Sequence, residues 1–345
     1  MSNTTTDERV KTAGLVTRIF RRPEVGALLG AVAIFILFTS TDTTGNFANL
    51  SGISGWTDIA APIGIVAIAV SLLMIAGEFD LSSGVMVGTT GLIIGMLVQE
   101  LGMNIWLAIL IALVFAAGIG FLNGYVVVKT KLPSFIVTLA TFFILKGANM
   151  ALTMMLTGAV RVTGTDKAPG FKDAFNIFAT RFQIGDAYFQ ISVVWWIVLT
   201  VLATWVLTRT RFGNWIFASG GDANAARNAG VKVDRTKITL FMLTSLAAAL
   251  VGIMFVLRLQ GMQAGQGVGQ EFYYIIAAAV GGTLLTGGAG SAIGASIGAV
   301  IMGMAYIGIP FSLWNSDWTS TFLGLILFSA VMINTFISRR AKGTK

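Results

Sequence analysis

Two carboxylates stand close together in residues 77–84, which read GEFDLSSG and lie between two long apolar stretches. A charged side chain costs about 3 kcal/mol at the centre of a bilayer, so Glu78 and Asp80 must meet water, protein or a cation. Two interpretations stay open: a solvated cytoplasmic turn, or a helix break in which Glu78, Asp80, Ser82 and Ser83 line a translocation pathway. Glycoside hydrolysis also uses paired carboxylates, but these two share one hairpin without a soluble cleft.

A second glycine-rich stretch, residues 281–290, reads GGTLLTGGAG. Its GGxG pattern imitates a phosphate-binding loop, but the chain contains no Gly-Lys dipeptide and therefore no Walker A motif. The small residues serve either close helix packing or a pathway lined by Thr283 and Thr286. An internal repeat is suggested by matches at a constant offset of 204, which align Gly77, Leu81, Ser82 and Gly84 with Gly281, Leu285, Thr286 and Gly288.

Lys146 lies within the apolar stretch 134–158, about 18 Å along a helix from Ser134 and close to the middle of a roughly 30 Å hydrocarbon core. Its stem cannot reach an interface from that depth. We therefore predict that Lys146 faces the protein interior or a pore, with Glu78 and Asp80 as candidate partners. The alternative is a set of backbone carbonyl groups at a neighbouring helix C-terminus.

Residues 209–237 form the longest basic loop between apolar stretches. Asp222 can cap a short helix over 223–229, and Gly230 can end it. Such a helix is too short to be stable alone in water, so it needs a surface to dock on. A lipid surface is one candidate, but the alanine-rich face of the helix is a poor lipid anchor and favours a protein partner.

The composition indicates which elements must position these groups. The chain has 345 residues, of which 55% are hydrophobic and 11% charged, without Cys or His, and its mean hydropathy is +0.83. These values indicate an all-α integral membrane protein and exclude Cys/His zinc sites, thiolate nucleophiles, disulfides and Ser-His-Asp triads. Ten apolar segments predict about ten transmembrane helices, some short or broken, at 25–39, 59–77, 81–99, 105–128, 134–158, 191–208, 238–259, 272–285, 291–309 and 319–338.

The charge distribution predicts the orientation. Alternating ten spans from a cytoplasmic N-terminus places 17 of the 23 Lys and Arg residues on the inner side, so both termini are predicted to be cytoplasmic. The pI near 9.9 then reflects basic loops rather than a nucleic-acid partner. The predicted organisation is a cytoplasmic tail 1–23, a transmembrane domain 24–338 with an external loop 159–190 and a cytoplasmic loop 209–237, and a basic cytoplasmic tail 339–345.

Several motifs, in order along residues 59–334, resemble the permease subunit of bacterial ABC sugar importers of the ribose, xylose and galactoside type. They are AGEFDLSSG at 76–84, NG at 123–124, KLPSFIVTLA at 131–140, RTRFG at 209–213, GGDANAAR at 220–227 with Gly230, and AAAVGGTLLTGGAGS at 277–291. Asn224 stands where the family usually has an acidic residue, and Tyr273 and Tyr274 stand where it more often has a small or acidic one.

The resemblance implies a type II ABC importer-like fold in a bacterial cytoplasmic (inner) membrane. It implies as partners a separate ABC ATPase that binds ATP and Mg, a periplasmic sugar-binding protein, the lipid bilayer and a second permease copy, with no cofactor in this chain. By resemblance, the ATPase docks on a coupling helix whose residues are Gly220, Gly221, Asp222, Ala225, Ala226, Arg227 and Gly230.

The expected function is a non-catalytic permease subunit for a pentose, hexose or polyol. A permease for a nucleoside or furanose-like signal molecule is an alternative within the same class. An ion-coupled secondary transporter, with Glu78, Asp80 and Lys146 as coupling groups, is an alternative from another class. A membrane enzyme lacks a recognisable catalytic set.

Overall fold

The computed structural model describes residues 23–342, and their side chains from residue 24 to residue 332. The predicted cytoplasmic tail, apart from Pro23, and the side chains of the predicted basic tail lie outside the described residues. Within 23–342 the chain forms thirteen α-helices: α1 Pro23–Thr41, α2 Leu50–Ile75, α3 Ser83–Leu101, α4 Ile105–Thr130, α5 Ser134–Thr157, α6 Phe171–Phe178, α7 Ser192–Arg209, α8 Arg211–Gly221, α9 Ala223–Asn228, α10 Val233–Leu259, α11 Gln270–Val280, α12 Ala292–Phe311 and α13 Trp318–Lys342.

Each of the ten predicted apolar segments is a helix. Eight of them, α1 to α5, α7, α10 and α12, are long and apolar enough to cross a membrane, and α13 is apolar over Trp318–Met332. The prediction of a short segment near residue 280 is also confirmed, because α11 has only 11 residues and a length of about 17 Å. The chain is therefore an all-α integral membrane protein.

Short strands accompany the helices. Strand β1 (Arg161–Thr163) pairs antiparallel with β4 (Gly261–Gln263), and β2 (Arg181–Ile184) forms a hairpin with β3 (Ala187–Gln190). Strands β1 to β3 and helix α6 lie in the predicted external loop, and β4 lies in the loop that follows α10. The pairing of β1 with β4 fixes the first part of the loop to the end of α10.

The helix α2 is the centre of the bundle, packed against α7, α10, α11 and α12. Its second half is buried almost continuously from Ala60 to Ala76, so it contacts protein rather than lipid on all sides. The helices α1, α5 and α7 are mostly exposed along their length, as expected for helices that face lipid or another protein chain.

Contacts between loops define two ends of the bundle. At the first, which we call the basic end, Phe79 N donates to Ser134 Oγ (3.0 Å) and Gly288 N donates to the Ile75 carbonyl (2.8 Å). At the opposite end, β1 pairs with β4, and Thr43 N donates to the Phe311 carbonyl (3.1 Å). The loops 76–82, 131–133, 210–232 and 281–291 thus share the basic end, as the alternation of spans predicts.

Glycines allow the central helices to approach closely. The helices α11 and α12 run antiparallel with Gly298 against the Ala277 carbonyl and Gly294 against the Gly281 carbonyl. Association of helices in lipid depends on this kind of packing, since lipid tails are as apolar as leucine. The stripe of small residues in α12 is therefore a packing surface, which is one of the two roles predicted for it.

We expect Gly298→Ala to lower the Tm of the protein in detergent, because the new methyl group overlaps the Ala277 carbonyl oxygen and overpacking costs about 1–3 kcal/mol. Gly118→Ala is the matched control, since Gly118 also lies within a long helix but has no atom within 4 Å of an added β-carbon. It should keep or raise Tm through helix propensity. Equal Tm values for the two variants would contradict the packing assignment.

Candidate functional site

The first helix break separates α2 from α3, and its residues 80–82 are buried inside the bundle. Gly77, with a φ of +83°, turns the chain after α2. Asp80 is fully buried, and one of its carboxylate oxygens accepts hydrogen bonds from Ser82 N (2.8 Å) and Ser82 Oγ (2.6 Å). This burial excludes a solvated turn at Asp80 and supports a helix break, whereas the pathway role of its residues stays a prediction.

The break also starts α3 inside the bundle, at a level within α4 instead of at its end. Asn123 donates to Ser82 Oγ (3.0 Å), and Asn123 precedes the end of α4 at Thr130 by seven residues, about 10 Å along the helix. Thr141 of α5 donates in turn to the Asn123 amide oxygen (2.6 Å), and Leu81 N donates to Thr138 Oγ (3.1 Å). Side chains of α4 and α5 thus satisfy the interrupted backbone and its polar groups.

The second break, between α11 and α12, ends its helix in the same way. Ala76 N and Glu78 N donate to the Leu72 and Leu73 carbonyls. The matching bonds join Gly281 N and Thr283 N to the Ala277 and Ala278 carbonyls. The equivalent donors of the two breaks are therefore 205 residues apart in the sequence. The N-caps of the helices that follow the breaks, Ser82 and Ser291, are 209 residues apart. The predicted constant offset of 204 is therefore wrong, because the second break is four residues longer.

The two breaks meet each other and the end of α8 at four glycines. Besides its bond to Ile75, Gly288 lies beside Gly220, and Gly287 lies against Gly77 and the Gly220 carbonyl. A β-carbon on Gly220 would overlap the Ile75 carbonyl oxygen, whereas one on Gly221 would meet nothing within 4 Å. We call Gly77, Gly220, Gly287, Gly288 and the Ile75 carbonyl the glycine junction.

The short helix predicted after Asp222 is present as α9. The Asp222 carboxylate accepts from Asn224 N (2.9 Å) and Ala225 N (3.0 Å), and Gly230, with a φ of +82°, follows its end. Asp222 caps a helix whose predecessor, α8, ends at Gly221, the residue after Gly220 of the glycine junction.

The residues of α9 do not all face outward. Ala225, Arg227 and Gly230 are exposed, but Ala226 is 6% exposed and packs on its own chain. The expectation that Ala225 and Ala226 would both face a partner is thus wrong for Ala226. Sequence reasoning also missed α8, although Thr210, which caps it by accepting from Gly213 N (3.1 Å), is a typical start signal.

The predicted partner of Glu78 is also wrong. Glu78 binds Lys237 of α10, with 2.5 Å between Nζ and Oε1 and side chains that are 15% and 12% exposed. Lys146 instead has an exposed side chain on α5, with Nζ 5.8 Å from the centre of the Phe142 ring. It therefore does not face the interior of this chain, and it pairs with neither Glu78 nor Asp80.

The remaining predicted pathway residues fall into two groups. Asp80, Ser82, Ser83 and Thr283 are buried, and Thr283 shares a hydrogen bond with Ser71 (2.8 Å between the hydroxyl oxygens). These four support the breaks in this conformation instead of facing an open channel. Thr286 is exposed at the tip of the second break. The described residues contain no group of three carboxylates, cysteines or histidines able to hold a metal ion.

A bundle of membrane-length helices with two helix breaks joined to a capped surface helix is an arrangement typical of membrane transport subunits. A family described as "Branched-chain amino acid transport system / permease component" matches residues 52–331. The fructose import permease FrcC of Rhizobium meliloti is 32% identical over 81% of this chain and 77% of its own length. The ribose import permease RbsC of Escherichia coli K12 is 31% identical over 88% of this chain and 91% of its own.

The xylose transport permease XylH of Escherichia coli K12 is 28% identical over 92% of this chain and 93% of its own length. No solved structure matches the chain significantly. The chain belongs to this permease family, in the group of sugar ABC import permeases. It is a non-catalytic, multi-pass inner-membrane subunit, and a separate ATPase and a periplasmic binding protein complete such importers.

Lys237→Met and Glu78→Gln should each lower the stability of the purified protein, by less than the roughly 3–5 kcal/mol that breaking a fully buried ion pair costs, because this pair is largely but not fully buried. The double variant should lose less free energy of unfolding than the two single variants lose together. We expect a coupling energy of about 1–3 kcal/mol, measured by denaturant unfolding.

The control cycle uses the exposed pair Arg227–Asp234, whose side chains are 46% and 55% exposed. Alanine replacements there should show a coupling below about 1 kcal/mol. Additive losses at Lys237 and Glu78 would show that the two charges do not stabilise each other.

Proposed function

We propose that the chain translocates a monosaccharide or polyol, delivered by a periplasmic binding protein, in an importer driven by a separate ATPase. The support comes from the fructose, ribose and xylose permeases, which match 81–92% of this chain. The family description names amino acids, but the ribose and xylose permeases, which match 88% and 92% of this chain, carry sugar names. A nucleoside or furanose-like compound is the second candidate, because it would share the polar hydroxyl groups of a sugar.

Coupling to the ATPase is proposed to run through α9 and the glycine junction. The observation that carries this proposal is the Gly220 backbone, which packs without a side chain against the last carbonyl of α2 and against Gly288. Asp222, Ala225, Arg227 and Gly230 form the exposed docking segment, Gly220 and Gly221 join it to the breaks, and Ala226 holds it to the chain. Movement of α9 would thus reach both helix breaks directly.

A second copy of the chain is proposed to complete the translocation pathway. Lys146 is exposed on α5, and its place in an apolar stretch predicts a depth near mid-bilayer, where a charge facing lipid is costly. A partner copy or a water-filled path between two copies would give this ammonium group a polar environment. Thr286 and Lys146 are then the candidate pathway residues that face away from their own chain, and the buried Asp80, Ser82, Ser83 and Thr283 become accessible only if the breaks open.

The basic end is proposed to be cytoplasmic, with loop 209–237 inside, loop 159–190 outside and both tails inside. ATP and Mg would bind to the ATPase, without a cofactor in this chain. An ion-coupled mechanism is less well supported, because Glu78 is already neutralised by Lys237 and Asp80 is bonded to Ser82.

The substrate class is tested in proteoliposomes that contain the complete importer and its binding protein. We expect ATP-dependent uptake of at least one neutral monosaccharide or polyol among fructose, ribose, xylose and ribitol, without uptake of leucine. Omission of ATP is the control, since an ion gradient alone should not support uptake. Uptake of leucine alone, of a nucleoside alone, or uptake driven by a proton or sodium gradient without ATP would contradict the proposal.

The coupling route is tested with neighbouring glycines. Gly220→Ala should lower ATP-driven uptake at least about tenfold, a change of about 1.4 kcal/mol, because the methyl group must displace the Ile75 carbonyl or Gly288. Gly221→Ala is the matched control and should transport normally, since the space beside Gly221 is open. Uptake is divided by the amount of permease in the membrane. Equal uptake by both variants would overturn the proposed route.

A further inference from the structure

A cavity of about 380 Å³ opens at the opposite end of the bundle, far from the glycine junction. It is bounded by α2, α10, α11 and α12, the same helices that form the centre of the molecule. Sites for small molecules have volumes of about 300–1,000 Å³ and combine apolar walls with a few placed polar groups. The cavity therefore has the size of a small-ligand site, and its lining decides which ligand fits.

The charged groups in the cavity neutralise each other. Arg258 donates two hydrogen bonds to Asp58, with distances of 2.7 Å and 2.9 Å to the two carboxylate oxygens. The pair is about one-third exposed, so it can still be reached from the cavity. A bidentate pair of this kind presents no net charge to a ligand. A charged ligand would have to compete with this pair, whereas a neutral one would not.

The other polar groups are neutral and suit hydroxyl groups. Gln266 and Gln270 line the cavity with amides that both donate and accept hydrogen bonds. Tyr273 and Tyr306 add two phenols whose rings meet edge to face, with centroids 5.8 Å apart. Aromatic rings offer an apolar face together with a polar tip, which matches the C–H faces and hydroxyl edges of a sugar ring.

The cavity with this polar lining differs from an apolar cavity elsewhere in the molecule. A second cavity of about 350 Å³, between α1 and α13, is lined by residues such as Ala27, Ile34 and Ile326 and offers almost no polar group. The polar cavity instead lies between α2, α10, α11 and α12. Two of these helices, α2 and α11, end at the two helix breaks. Tyr273 belongs to α11, which leads directly to the second helix break at residue 281.

We propose that this cavity is a binding site in the permease itself for a neutral polyhydroxylated molecule, a monosaccharide or polyol. Its polar lining consists of the Asp58–Arg258 pair, Gln266, Gln270, Tyr273 and Tyr306. The proposal deepens the proposed function. It rests on that function for the direction of transport, since a ligand that enters at the opposite end reaches this site before the helix breaks open.

The test uses the fact that the chain contains no cysteine, so a single cysteine can be introduced into the native sequence. Gln270→Cys is labelled with a water-soluble maleimide in purified permease in lipid nanodiscs, with fructose, ribose, xylose, ribitol, leucine or ribose 5-phosphate present. We expect one or more neutral sugars or polyols to slow labelling about tenfold at ten times its Kd, because the free fraction falls as 1/(1 + [L]/Kd). Leucine and the sugar phosphate should have no effect.

Gln183→Cys is the matched control, because Gln183 is exposed on the β2–β3 hairpin outside the cavity and its labelling should not respond to sugar. Saturation-transfer NMR on the native chain provides an independent measurement that needs no substitution in the cavity. Transfer to the sugar should be lost in Tyr273→Phe, which removes one hydroxyl group, and kept in Tyr188→Phe, which alters an exposed tyrosine of the hairpin.

The proposal is overturned if no neutral sugar or polyol protects Gln270→Cys and none gives a saturation-transfer signal with the native permease. It is also overturned if leucine or the sugar phosphate protects equally well. ATP-driven sugar uptake by the native complex, measured in parallel, separates the two levels of inference. Uptake without binding to the permease would refute only this site, whereas failure of sugar uptake would refute the proposed function.

Discussion

The architecture depends on one hydrogen bond between two interrupted helices. Gly288 N donates to the carbonyl of Ile75, the last residue of α2. Inside a membrane, every backbone polar group must find a partner within the protein, so a broken helix is possible only where another segment satisfies its free groups. Here the second break satisfies the end of the helix that precedes the first one. The glycine at position 220 completes the arrangement, because a side chain there would occupy the place of the Ile75 carbonyl.

This arrangement connects segments that are far apart in the sequence and have different chemistry. The first break is held from the membrane side by Ser82, Asn123 and Thr141, and from the basic end by the Lys237–Glu78 ion pair. The short helix α9, the proposed docking segment, is held by Asp222 at its start and by Ala226 on its inner face. A force applied to α9 therefore reaches a set of directly packed backbone groups instead of a flexible loop.

Local signals in the sequence predicted much of this, and long-range contacts account for the errors. Ten apolar segments, the short α11 and the cap at Asp222 follow from composition and spacing, but the boundaries do not: α2 begins at Leu50, nine residues before the predicted start at 59. The ion pair of Glu78 could not be predicted, because Lys237 is 159 residues away and its position looked like a solvated loop. The repeat offset failed because glycine identities aligned across loops of unequal length. Lys146 was assigned an intramolecular partner, whereas its helix exposes that face.

The proposed coupling route requires α9 and the helix breaks to move together during transport. Spin labels on cysteines introduced at Ala225 and Thr286, both exposed in this chain, would measure it by pulsed electron resonance in the assembled importer with and without ATP. We expect the distance between Ala225 and Thr286 within one chain to stay constant, while the distance between the Thr286 labels of the two proposed copies changes. A within-chain distance that changes as much as the distance between copies would contradict the proposed route.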